Sequence, residues 1–451
     1  MNYKDLKNNF INKCLSENEH AKVSDYSVLL EPVIEYISDD IDKSRENLFN
    51  HSKVQESIKK FVDEQKLSDG LVISFGTKNY TKTVSYGLSK SVALKDGQFF
   101  PCREKMKDNS IFDLASVSKV ITCYTIMKLY ELKRIDIDLP ISVYDKRFNN
   151  IQNHTLRQLL SFQIKLTTQQ SIVQPMTLVE AEKQIFNITA SDIDNRPYSD
   201  MGSIVSKYVV ESALNESFIN LVKKYILIPL GMNNTFTISS VHSKQDFACN
   251  NYERKILSDK CIVDVDTEER IVHDYKAKIL GHKGDRFSGH AGLFSTANDM
   301  CIFARNILSF NVMSPFFVKQ IIKNYVGFKD ENNQYSQYLG MLCHTKHPNP
   351  EQSEVYHLLS DNAVAQGGYT GTYFSYDIDN EVFMFLGANR CHNRITYISN
   401  SISNANIVSA NEWKKMYIDT HKYAWQRDVL IHNVFDLCIQ YRFLEYLFEN
   451  K

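Results

Sequence analysis

Lys119 stands inside a run that is otherwise almost wholly apolar. The chain reads Ile111-Phe112-Asp113-Leu114-Ala115-Ser116-Val117-Ser118-Lys119-Val120-Ile121-Thr122, and Tyr124, Met127 and Leu129 follow at helical spacing. That pattern predicts a buried helix rather than a solvated one. A lysine at the buried end of such a helix needs a reason to be there, because lysines are almost never fully buried unless paired.

A candidate reason lies three residues back. Ser116 and Lys119 fall on one helical face. A serine hydroxyl becomes a nucleophile only with a base in hydrogen-bond reach. A lysine serves as that base if burial or neighbouring charge lowers its pKa. Backbone N–H groups at the same helix start face an oxyanion well. The tetrapeptide alone fits an N-cap serine followed by a solvated lysine better; the apolar flanks favour the chemical reading.

Three further segments carry chemistry-bearing residues. Tyr198 and Asp200, in Arg196-Pro197-Tyr198-Ser199-Asp200-Met201-Gly202, sit two apart on an expected loop. A tyrosine near a cationic lysine could take the serine proton and pass it to a leaving group; with 25 tyrosines in the chain, the segment alone fits a turn aspartate beside a half-buried tyrosine better. Gly289-His290-Ala291-Gly292 runs into a helix expected to start near Thr296 to Asp299, both good caps. Gly367-Gly368 is expected to open the strand beginning at Tyr373, which would let a substrate lie along an edge; a bulge is the plainer alternative.

At 451 residues the chain has ample length for a large core. A net charge of −1 gives no electrostatic case for nucleic acid or an anionic membrane. No run approaches the roughly 18 apolar residues of a membrane span, and Met1 to Phe10 lacks an apolar signal core. A cytoplasmic location is the expectation. The nine cysteines are scattered without C-x-x-C pairs, which reads as reduced thiols and gives zinc no support from spacing. No cofactor and no metal are expected.

Gly70 to Gly76 and Lys82 to Gly87 read as a hairpin around Lys78 to Tyr80, and Glu381 to Ala388 as a buried strand. Strands early and late with helices between predict an α+β fold whose sheet draws on both ends of the chain. Residues 1 to about 65 look helical. The tail from Asn411 to Lys451 is amphipathic (Trp413, Met416, Tyr417, Trp425, Val434, Phe435, Tyr441, Leu444), fitting docked terminal helices or a face for a homo-oligomer or partner.

In this order, the segments resemble the serine β-lactamase and penicillin-binding-protein superfamily, most of all its class C branch with the related esterases and D,D-peptidases. The resemblance rests on Phe112 to Lys119; Tyr198 to Gly202; Val272-His273-Asp274 with Gly289 to Ala297; and Gly368-Tyr369-Thr370-Gly371-Thr372 with Asn389-Arg390. Pro229 to Thr235 adds to it. It implies a β-lactamase/transpeptidase-like fold, an antiparallel sheet flanked by helices plus an all-helical subdomain. It also implies Ser116 as the acylated nucleophile, Lys119 as its partner and Tyr198 as general base or relay. Asp200 matches the third position of the tyrosine motif, and the backbone N–H groups of Ser116 and Tyr369 would form the oxyanion hole. The expected division is a helical extension at 1–60, the hydrolase domain at 61–405 with a helical subdomain at about 145–290, and a C-terminal helical extension at 406–451.

Two departures bear on substrate and site. Gln366-Gly367-Gly368 stands where the family usually carries Lys-Thr-Gly or His-Thr-Gly, a box that helps bind a substrate carboxylate. A neutral amide lacks the charge that roughly doubles such a hydrogen bond; His290 is the candidate to compensate. Leu159 to Gln163 also departs from the usual pattern. The reading is therefore a serine hydrolase acting on a small-molecule ester, amide or peptide, with an esterase or small peptidase ahead of a D,D-carboxypeptidase or β-lactamase. A catalytically inactive binding or regulatory protein is the alternative of another class.

Overall fold

Alternation along the central strands decides the architecture. In Gly70–Thr77 (β1), Leu71, Ile73 and Phe75 point to one apolar cluster and Val72 to another. The strand that pairs with it, Val382–Ala388, divides the same way: Val382, Met384 and Leu386 on one side, Phe383 and Phe385 on the other. Every residue of both strands is buried. A sheet with two apolar faces must be covered on both, and helices cover it.

A computed structural model describes residues 2–96, 98–173, 175–238, 246–256, 270–281, 287–398, 417–418 and 423–450. Of the residues singled out above, Trp413 and Met416 lie outside these, as do the side chains of Tyr417 and Trp425.

The sheet continues with Thr81–Lys95 (β2), Gln98–Lys105 (β3), His344–Thr345 (β4), Ala363–Gly367 (β5), Tyr373–Asp377 (β6) and Val382–Ala388 (β7). Its order is β4-β5-β6-β7-β1-β2-β3, with every neighbour antiparallel. The β1–β7 pairing joins the two ends of the chain, with Ile73 opposite Leu386. This is the α+β, β-lactamase/transpeptidase-like sheet that the sequence implied.

On one face lie the N-terminal helices Tyr3–Ser16 (α1), Val23–Leu30 (α2) and Ile41–His51 (α3) together with the C-terminal helix Tyr423–Glu449, labelled α7 below. The C-terminal helix touches α1, α2, α3, β1 and β7. On the other face lie Ser118–Glu131 (α4), Met201–Leu214 (α5) and Ala297–Leu308 (α6), within the larger core. α4 is buried nearly all round, from Ser118 through Met127, as its unbroken apolar run required. Thr296 caps α6 by accepting from Asp299 N at 3.3 Å, so that helix begins where the capping residues placed it. Among the described residues no helix is long and apolar enough to cross a membrane.

One local expectation is corrected. Gly367 closes β5 rather than opening the next strand, and Gly368 to Gly371 form the turn into β6, with Gly371 N on Gly368 O at 3.0 Å. Tyr373 starts the strand because its ring is fully buried under α7 and its hydroxyl donates to Glu354 O at 2.7 Å.

Candidate active site

The short strand Ile111–Asp113 leads through a single 3₁₀ turn, Ala115–Val117, into α4. Asp113 sets that turn. Its carboxylate accepts from Ala115 N at 2.9 Å and from His273 N at 2.7 Å. Ala115 adopts φ 45°, a left-handed conformation without a glycine to relieve it, which costs on the order of 1–2 kcal/mol. The strain sits directly before Ser116, where such conformations tend to cluster at functional centres.

Lys119 is 0 % exposed. Its Nζ donates to Ser116 Oγ at 2.8 Å and lies 2.8 Å from Asp200 Oδ1. The same ammonium sits over the Tyr198 ring, 5.1 Å from its centre. Burial alone would pull the lysine down, but Tyr198 and Asp200 outweigh it and hold Lys119 above its ordinary range. The condition for a basic lysine, a pKa drawn down by its surroundings, is therefore not met here.

Asp200 directly precedes α5, yet its side chain does not cap the helix. It turns to two cations, Lys119 and Lys276, the latter at 3.0 Å. Burial opposes its charge, but Lys119, His290 and Lys276 hold its carboxyl well below the usual carboxylate range. Lys276 comes from the helix Tyr275–Leu280. Burial lowers it, and Asp200 with Asp274 more than restores it.

Tyr198 is fixed by its neighbours. Its ring stacks on Phe162 at 5.4 Å and His344 at 5.2 Å, and its backbone N–H donates to Gln337 Oε1 at 3.1 Å. Phe162 belongs to the segment that departed from the family pattern; here it serves as one wall for Tyr198. Gln366 Nε2 donates to Tyr198 Oη at 2.9 Å. The Gln366 carbonyl oxygen is buried without a hydrogen-bond partner.

The turn carrying Tyr369 is stitched to the Ser116 turn. Thr370 Oγ1 donates to Asp113 O at 2.8 Å and Thr372 Oγ1 to Leu114 O at 2.9 Å. A side chain at Gly368 would meet Leu114 O at 2.7 Å and Thr372 Oγ1 at 2.0 Å, so only glycine permits this approach. Ala115, Ser116, His273, Asp274, Tyr275, Ala291 and Tyr369 line a cavity of about 140 Å³. A larger cleft of about 580 Å³ lies beyond Tyr198, lined by Arg196, Gln337, His344 and Glu354 among others. Ser116 lines the smaller cavity and not this cleft.

His290 is drawn away from the cavity. It bridges Asp274 Oδ1 at 2.8 Å and Ser288 Oγ at 2.9 Å. Lys276, the two threonines and Arg427 were not foreseen. Arg427, from α7, would lie 3.2 Å from a side chain at Gly367, and it pairs with Glu354 at 2.8 Å. A cation thus stands beside the third box after all, with its charge already matched.

Among the described residues, two groups of side chains have the donor types to hold a metal: Asp200, Asp274 and His290; and Glu253, His273 and Cys391. In the first, two ammonium groups already occupy Asp200.

Comparison with known proteins places this geometry. The beta-lactamase family profile matches residues 90–396. A search of curated proteins returns no match. Among solved structures, the chain is similar to EstCE1, described as a hydrolase with promiscuous acyltransferase activity, at 15% identity and TM-score 0.59 over 86% of this chain and 99% of that one. It is similar to a class C beta lactamase from Rhodobacter sphaeroides at 14% identity and TM-score 0.58, covering 85% and 98%. An octameric penicillin-binding protein homologue from Pyrococcus abyssi matches at 16% identity and TM-score 0.55, covering 75% and 73%. At these identities the likeness shows a common fold.

Proposed function

This chain belongs to the beta-lactamase family, and from that premise we propose that it is a serine hydrolase that forms an acyl-Ser116 intermediate on a small ester or amide. The observation that carries the proposal is the 2.8 Å contact between Ser116 Oγ and a fully buried Lys119. A buried ammonium aimed at a serine oxygen has little structural use, whereas a charge beside a nucleophile stabilises the alkoxide as it forms.

With Lys119 held as an ammonium, Tyr198 is the proposed proton acceptor. Gln366 donates to its oxygen, which leaves that oxygen as the acceptor of the pair. The step needs Tyr198 as the phenolate, its own proton released to solvent beforehand; the Ser116 proton then passes to that oxygen as the bond from Oγ to the acyl carbon forms. The oxyanion rests on the backbone N–H groups of Ser116 and Tyr369. Tyr198 then protonates the leaving alcohol or amine as its bond to the acyl carbon breaks. Water, activated by the same tyrosine, releases the acid and restores Ser116.

Gln366 and the Arg427–Glu354 pair support substrates without a carboxylate at this box, since neither offers an unmatched positive charge. That favours an esterase or small peptidase over a D,D-carboxypeptidase or β-lactamase. A second reading, a non-catalytic binding protein of the same fold, is favoured by one observation: Asp200 keeps Lys119 protonated.

Intact-protein mass spectrometry after fluorophosphonate exposure separates the two. A single adduct on the native chain, absent from Ser116→Ala, supports the hydrolase. A folded native chain that takes no adduct would move the assignment to the binding protein.

A further inference from the structure

We propose that Glu253, His273 and Cys391 form a binding site for a zinc-class divalent ion in the wall of the Ser116 cavity. One oxygen, one nitrogen and one sulfur from these residues all lie within 4.8 Å of one another. His273 Nε2 is 2.7 Å from Glu253 Oε2. Glu253 and Cys391 are buried, and His273 reaches the cavity surface.

The donor set is selective. Carboxylate, imidazole and thiolate are the three side-chain ligands zinc takes, each at about 2.0–2.3 Å, and three of them leave a fourth position for water or a substrate atom. Calcium and magnesium require oxygen ligands throughout, so the sulfur and nitrogen here point to zinc or a similar transition ion. Residue spacing could not reveal this because the ligands come from distant elements: His273 is 20 residues from Glu253, and 391 − 273 puts Cys391 118 residues further on.

The surroundings are built as ligand supports are. Asp113 accepts from His273 N at 2.7 Å and fixes that backbone. Tyr369 Oη donates to Glu253 Oε1 at 2.7 Å, leaving the other carboxylate oxygen toward His273. Cys391 Sγ lies 3.7 Å from Tyr369 O, and the Tyr369 ring stacks on His273 at 5.3 Å. Binding would exchange the His273–Glu253 hydrogen bond for two metal–ligand bonds. The metal–sulfur and metal–nitrogen bonds would form as the Cys391 thiol proton and the His273 Nε2 proton leave to water, with no change of oxidation state. The Asp200, Asp274 and His290 group is set aside because an incoming cation would meet Lys119 and Lys276.

The test uses the full chain after chelation, titrated with cobalt(II) as a spectroscopic stand-in and with zinc by equilibrium dialysis. One equivalent, a thiolate-to-cobalt charge-transfer band and a raised thermal midpoint are expected. Cys391→Ser should abolish the band and weaken zinc uptake at least about 10-fold, while Cys102→Ser leaves both intact. Circular dichroism checks each fold; should Cys391→Ser not fold, Glu253→Gln and His273→Asn carry the same comparison on uptake. No band in the native chain, or uptake unchanged in the folded ligand variants, would overturn the site. The readout is ion uptake, so it stands apart from whether Ser116 is acylated.

Discussion

Lys119 and Asp200 form an ion pair of 2.8 Å in which the lysine is fully enclosed and the carboxylate is shared with Lys276. Each group keeps the other charged: the pair raises Lys119 and depresses Asp200 against the pull of burial on both. A buried pair of this kind contributes little net stability over an apolar replacement, but losing one partner strands the other.

The pair sets a pH dependence. Asp200 is depressed below its ordinary value of 3.8, so its contribution is present above that pH and is lost as pH falls through it toward the folded value. Lys119 is raised above 10.5, so its contribution is complete below that pH and fades only in stronger alkali. Asp200→Asn should therefore cost about 3 kcal/mol at pH 7 and should flatten the loss of stability below about pH 4. Urea unfolding at several pH values measures both. Parallel curves for the two proteins would remove the pair from the account.

Lys119→Met separates chemistry from stability. The methionine fills a similar volume without a charge to desolvate, and Asp200 keeps Lys276 as a partner. The thermal midpoint should stay within a few degrees, while fluorophosphonate labelling of Ser116 slows by about 100-fold or more. Labelling at the native rate would show that Lys119 does not activate the serine.

Gln366 governs substrate charge in the proposed reaction. A carboxylate-free ester should be turned over better than a penicillin. Gln366→Lys should shift the ratio of kcat/KM toward the carboxylate-bearing substrate by about 10-fold, near the 1.4 kcal/mol that a charge-assisted bond adds. A native preference for the penicillin would reverse the inference drawn from this residue.

What was legible in the sequence follows from what is local. The apolar run around Lys119, the apolar strand runs at β1 and β7 and the cap at Thr296 are periodic or short-range signals, and the fold honours them; Asp299, the other expected cap, sits inside the first turn and holds Asn234 and Thr235 instead. The charge of Lys119 was not legible, because it depends on Asp200 and Tyr198 arriving from elsewhere in the chain. Lys276, Thr370, Thr372 and Arg427 act through contacts that only the folded topology creates. The N-terminal helices showed loose apolar spacing, but not that they share one face of the sheet with the C-terminal helix.

That shared layer is held by a polar anchor that makes the last prediction. Arg45 of α3 donates to Glu445 of α7 at 2.6 Å, and Thr77, at the end of β1, donates to the same oxygen at 2.6 Å. The arginine and glutamate side chains are 8% and 4% exposed, so neither can turn to water if the other is removed. Glu445→Ala should cost about 3 kcal/mol, because Arg45 stays buried with its charge balanced by the largely exposed Asp42 at 2.7 Å. Arg45→Met combined with Glu445→Met removes both charges and should recover most of that loss, leaving Thr77 with an unmet donor worth about 1 kcal/mol. Denaturant midpoints of the native chain, the single variant and the double variant test the ordering. A single variant as stable as the native chain would mean that α3 and α7 are joined by apolar packing alone.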